Sequence, residues 1–166
     1  KICAIFGANV TFTYNSNKKD AQDISKDIKN NKIEINYFKL NVTNSKNILS
    51  IEESFDHVYY FATPKIISNK SEINDKLLMQ KYRLFYVNSF EYVIKNFLSK
   101  NKHTKFLYPS TSYIDELKSD FKEYIATKLE GENLCKTFNK SLKCIFFPRI
   151  PPLNTDQNLS ILPTKN

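Results

Sequence analysis

The chain has 166 residues, 41% of them apolar and 14% aromatic, which is enough for one domain with a core and too hydrophobic for a disordered segment. Its net charge of +8 comes almost entirely from lysines scattered among acids, with no arginine cluster and no basic run longer than two, which argues against a nucleic-acid surface. No apolar stretch reaches the roughly 18 residues of a membrane span, no leader peptide is evident, and Cys3, Cys135 and Cys144 have neither disulfide nor zinc spacing. The expectation is therefore a cytoplasmic domain with no membrane partner and no metal.

Read in chain order, residues 1–5 (KICAI) are a short apolar run with strand character. Gly7-Ala8-Asn9 form a turn into a second strand ending at Tyr14. Residues 15–30 are a helix, with Ala21, Ile24 and Ile28 on one face. Residues 33–42 alternate as a strand does, 45–55 are an amphipathic helix, and 57–63 are a buried strand stopped by Pro64. A long helix covers 76–100, with a break inside it. A strand at 104–112 ends in the hydroxyl cluster Ser110-Thr111-Ser112, a helix covers 120–141, and 143–150 form a last strand before a loop at 151–166. Short strands alternating with helices predict an α/β fold: a Rossmann-like, doubly wound parallel sheet flanked by helices, in a single domain over 1–166. His57 and His103 stand at element ends with no acidic or cysteine neighbours and do not read as ligands.

Tyr124 and Lys128 lie four apart on the 120–141 helix, and so on one face of it. An ammonium one turn from a phenol favours phenolate and lowers its pKa from about 10, the arrangement of an acid/base couple. Two surface residues at chance spacing would look the same in sequence.

From residue 6 onward the chain resembles the short-chain dehydrogenase/reductase family, its ketoreductase-like members in particular. The resemblance is carried by FGANVTFTYNSNKKDAQDI (6–24), KLNVTN (39–44), VYYFATP (58–64), FYVNSFEYVI (85–94), FLYPSTSYID (106–115), EYIATKLEGE (123–132) and FFPRIPPLNTDQ (146–157), in order and at suitable spacing. It implies Tyr124 as acid/base, Lys128 as its partner and ribose ligand, Thr111 as the hydroxyl that polarises the substrate oxygen, and Asn88 as anchor of a proton-relay water. Ser110 or Ser112 would replace Thr111 if the register slips. It also implies a cofactor site that includes Asn15, Ser16, Asn41, Ala62, Thr63, Pro148, Ile150 and Thr155. No acid follows Tyr14 until Asp20, which favours NADP, with NAD as the alternative.

The chain departs from the family in two places. Ala62-Thr63-Pro64 stands where Asn-Asn-Ala-Gly is usual. The family's first strand leads into a glycine-rich turn and helix of about 20 residues that cradles the pyrophosphate. If 1–5 is that strand, the segment is absent after Ile5, and the end at Asn166 reads as trimmed. The expected activity is NAD(P)-dependent reduction of a ketone, either a small molecule or an acyl chain on a carrier protein. Homo-oligomerisation is left open. Two rivals are a degenerate, non-catalytic scaffold and a nucleotide-sugar epimerase or dehydratase using the same Tyr-Lys pair.

Overall fold

The structure is a computed structural model and describes residues 2–29, 35–70 and 75–152. It is α/β with parallel strands and divides into two compact units, Lys1–Ile48 and Leu49–Asn166.

The first unit opens with one helical turn, α1 (Ile2–Ile5), followed by β1 (Val10–Tyr14), α2 (Lys18–Lys29), β2 (Ile35–Lys39) and the start of α3 (Ser45–Leu49). β1 and β2 are parallel, with Val10 opposite Ile35 and Tyr14 opposite Lys39, and α2 supplies the crossover. Here the sequence reading is corrected, because residues 2–5 are helix and not strand. Phe6 N–H bonds the Ile2 carbonyl, and Gly7, at φ +88°, turns the chain so that Ala8 N–H bonds Cys3 O. A glycine ends the turn there because a Cβ would be strained at that φ. Only Ala4 of this turn is buried, against Ile28 and Ile35, while Ile2 is 73% exposed. The expectation of an absent segment after Ile5 rested on a strand at 1–5. From α1 the chain runs through Gly7 into β1.

The second unit holds two further parallel crossovers. β3 (His57–Tyr59), β4 (Lys105–Leu107) and β6 (Ile145–Phe146) form one parallel sheet in that order. β5 (Ser110–Thr111) and β7 (Arg149–Ile150) pair beyond it, interrupted at Pro109 and Pro148, which lack the N–H a ladder needs. Hydrogen bonds from Tyr108 N–H to Phe146 O and from Ser110 N–H to Pro148 O bridge the interruption, each 2.8 Å. The strand expected at 104–112 is therefore nearly continuous.

β3 reaches β4 through α4 (Lys76–Arg83), a π-helical segment (Leu84–Ser89) and α5 (Phe90–Lys100), so the break expected inside 76–100 is a π-turn. The Ser89 hydroxyl donates to Leu84 O, five residues back, within that widened turn. β4 reaches β6 through the short α6 (Tyr113–Glu116), in a stretch to which the sequence reading gave no element, and α7 (Lys122–Asn139). Phe90 is fully buried, its ring 4.9 Å from Tyr60 and 4.6 Å from Tyr108, so an aromatic cluster joins α5 to the sheet.

α3 and β3 (His57–Tyr59) are shorter than expected. α3 stops at Leu49 and not 55, because the Ile51 carbonyl is taken by Lys100 Nζ and the Phe55 carbonyl by Thr104 Oγ1. β3 stops at Tyr59, and residues 60–70 follow as a loop fixed by side chains. Tyr82 Oη accepts from Ile67 N–H (2.8 Å), Asn69 N–H donates to Asp120 O, and Asn69 Nδ2 donates to the buried Glu123 carboxylate. Among the described residues no helix is long and apolar enough to cross a membrane.

Candidate functional site

Parallel strands joined by helices leave a crevice beyond their carboxyl ends, where the loops diverge. In the second unit that crevice is a cleft, lined in part by Ala62 and Thr63 after β3, Thr111 on β5, Tyr124 and Lys128 on α7, and Ile150 on β7. These six, widely separated in sequence, were singled out from sequence and come together. Tyr124 and Lys128 are both buried, on the same face of α7.

The two do not form the acidified couple that was expected. Lys128 Nζ donates to the Pro109 carbonyl at 2.6 Å. It lies 4.2 Å from the Tyr86 ring centre and 4.6 Å from that of Tyr108, but 5.9 Å from that of Tyr124. Burial pushes the Tyr124 phenol up to about 12, with a hydrogen bond to the Thr111 side chain pulling the other way. Burial also pulls the Lys128 ammonium down to about 7, and the Glu132 charge offsets only part of this. The phenol therefore keeps its proton at neutral pH, and the lysine is poised to lose its own.

Asn88 is corrected. It is exposed and faces Glu91, Tyr92 and Lys95 on the outside of the helix, away from Lys128. The side chain that this helix turns to Lys128 is Tyr86, buried and sharing a 2.5 Å hydrogen bond with the Thr63 hydroxyl. The sequence did carry a signal. Tyr82, Tyr86 and Phe90 recur every four residues as the apolar stripe, and Asn88 lies off it. Pro148 is also not among the residues facing the cleft; its carbonyl accepts Ser110 N–H. Thr155 lies outside the described residues.

Asn15, Ser16 and Asn41 belong to the first unit. Asn15 and Ser16 are exposed just after β1, and Asn41 follows β2, so all three stand at the carboxyl end of that strand pair. Asn41 Oδ1 accepts from the Thr43 N–H and hydroxyl, which shapes the turn there.

Behind the cleft is an ion-pair network that the sequence did not disclose. Glu132, 2% exposed, accepts two hydrogen bonds of 2.8 Å from Arg149 and one of 2.7 Å from the Ser110 hydroxyl. Arg149 also bonds Asp115. Hydrogen bonds from Arg149, opposed by burial, hold the Glu132 carboxyl below its ordinary value. The network ties β5, β7 and α6 to α7 and thereby fixes Thr111 and Ile150. Gly131 lets Tyr108 pass beneath α7, since a Cβ there would stand 2.1 Å from the Tyr108 hydroxyl. Among the described residues no cluster of three metal-ligating side chains exists.

The Lys128 shift fixes the sign of a pH effect. Lys128 is protonated below about 7 in the fold and below 10.5 in the unfolded chain. Between those values the unfolded chain binds more protons, so stability rises with pH across the window. In urea unfolding between pH 7 and 10, the wild type is expected to gain a few kcal/mol relative to Lys128→Met. A difference that stays constant with pH contradicts the burial of this amine.

No protein-family model matches the sequence, and neither does any curated protein. Solved structures do match in fold. A short chain dehydrogenase from Escherichia coli CFT073 complexed with NADPH superposes with a TM-score of 0.83 at 15% identity, over 98% of this chain and 74% of that one. A short chain dehydrogenase from Salmonella enterica serovar Typhi CT18 gives 0.82 at 14%, over the same shares. An alcohol dehydrogenase from Thermococcus sibiricus complexed with 5-hydroxy-NADP gives 0.75 at 17%, over 92% and 69%. At these identities the similarity establishes the fold, which is that of the short-chain dehydrogenases.

Proposed function

We propose that the protein is an NADP-dependent oxidoreductase that reduces a neutral carbonyl compound, with Tyr124 as the proton donor. The observation that carries this reading is the convergence of Tyr124, Thr111 and Lys128 on one cleft at the carboxyl ends of parallel strands, in a fold whose solved members include complexes with NADP and NADPH.

The chemistry follows from the protonation states. A phenol held near 12 carries its proton at neutral pH and donates it to an oxygen that gains charge as hydride arrives. Thr111, which lines the same cleft, supplies a second hydroxyl for that oxygen. This favours reduction over alcohol oxidation, which needs the phenolate. The nicotinamide supplies the hydride. Ala62, Thr63 and Ile150 would form the walls around its ring, and Lys128 would hold its ribose. In the sequence no acid follows Tyr14 until Asp20, which favours NADP over NAD.

Among the described residues lining the cleft only Lys128 carries a charge, and these walls are mainly aromatic and apolar. That supports a ketone, free or borne on an acyl carrier, over a nucleotide sugar. The displaced Asn88 is what favours the rival reading, a non-catalytic scaffold. Titration with NADPH and NADH, followed by nicotinamide fluorescence, separates the two readings, and a panel of neutral ketones then reads turnover.

A further inference from the structure

We propose that Lys128 is also a covalent site: its Nζ, enclosed by the rings of Tyr86, Tyr108 and Tyr124 and open to the cleft, condenses with a small apolar aldehyde to form an imine. A lysine becomes a nucleophile when it is kept from water and from a paired carboxylate. Among the described residues Lys128 meets both conditions. It is 6% exposed and lines the cleft. The groups facing it are Tyr86 from the π segment, Tyr108 and the Pro109 carbonyl from the β4–β5 link, and Tyr124, Cys135 and Glu132 from its own helix. The one carboxylate in this set, Glu132, is engaged by Arg149 and Ser110 and makes no ion pair with Lys128.

Burial brings the amine to about 7, so near neutral pH about half of it is unprotonated, against roughly four parts in ten thousand for an ordinary lysine. The Pro109 carbonyl accepts one N–H in either state, leaving the lone pair of the neutral amine for the cleft. That pair forms the C–N bond at the carbonyl carbon, and a proton passes from nitrogen to oxygen to give the carbinolamine. Tyr124 Oη then protonates the hydroxyl, which leaves as water as C=N forms. The remaining N–H proton returns to the Tyr124 oxygen. The products are one imine and one water, with no change of oxidation state.

The test uses the full chain without any nicotinamide, so its failure and the failure of the oxidoreductase reading are separate results. The protein is incubated at pH 7 with butanal and sodium cyanoborohydride, which reduces an imine to a stable secondary amine, and labelled peptides are quantified by mass spectrometry. Lys128 is expected to be labelled at least about tenfold faster than Lys140, an exposed lysine just past the same helix. Tyr124→Phe is expected to slow labelling at Lys128 several-fold while Lys140 reacts as before. Labelling of Lys128 no faster than Lys140 in the wild type overturns the proposal, and so does loss of the Tyr124 effect.

Discussion

Replacing Tyr124 by phenylalanine is expected to lower carbonyl reduction by about 10³-fold while leaving NADPH affinity within about twofold. The substitution removes one oxygen from a ring packed among Tyr82, Tyr86 and Tyr113, with centroid separations of 6.0, 5.5 and 6.5 Å. Those contacts are made by ring carbons and survive. What is lost is the proton donor. Because the donor acts only as charge builds on the substrate oxygen, the loss belongs in kcat and not in binding. Steady-state kinetics with a reducible ketone, alongside nicotinamide fluorescence, separate the two terms. Turnover unchanged within threefold would remove Tyr124 from the reaction.

Glu132→Ala is expected to destabilise the protein by about 3 kcal/mol, roughly 6–12 °C in melting temperature for a chain of this length. Its carboxylate is nearly inaccessible and accepts three short hydrogen bonds. Removing it leaves the buried Ser110 hydroxyl without an acceptor and Arg149 with Asp115 alone. Arg149 is about one-third exposed and regains some hydration, which holds the loss at the lower end of what a broken buried pair gives. Glu132→Gln keeps an acceptor for Ser110 and is expected to lose about half as much. Thermal unfolding of both variants checks the order. Equal stability of Glu132→Ala and wild type would show that the network holds nothing in place.

Much of the fold was legible because periodicity reports burial directly. The parallel β1–β2 and β3–β4 pairs follow from short apolar runs separated by amphipathic helices. The run at 1–5 was misread because four consecutive apolar residues carry no period, and only the hydrogen bonds behind Gly7 distinguish a helical turn from a strand. In the candidate site, Tyr124 and Lys128 share a helix face as their spacing implied, and Thr111 stands at a strand end where the resemblance put it. Asn88 was misplaced because the resemblance was followed over the stripe of Tyr82, Tyr86 and Phe90, which is the face that is buried and that turns Tyr86 to Lys128. The protonation of the pair was also unreadable. Spacing predicted an ammonium acting on a phenol, whereas the Pro109 carbonyl and two other rings hold the ammonium, and burial governs both groups. Partners such as Glu132 and Arg149, 17 residues apart, leave no local pattern at all.

The central claim is that this cleft accepts a nicotinamide beside Tyr124 and Lys128, and equilibrium titration with NADPH reads it most directly. Bound nicotinamide in an apolar cleft is expected to fluoresce more strongly and further to the blue, with saturable binding that is tighter for NADPH than for NADH and weakened at least tenfold by Lys128→Met. Absence of saturable binding by either nucleotide to a folded wild-type chain contradicts the account.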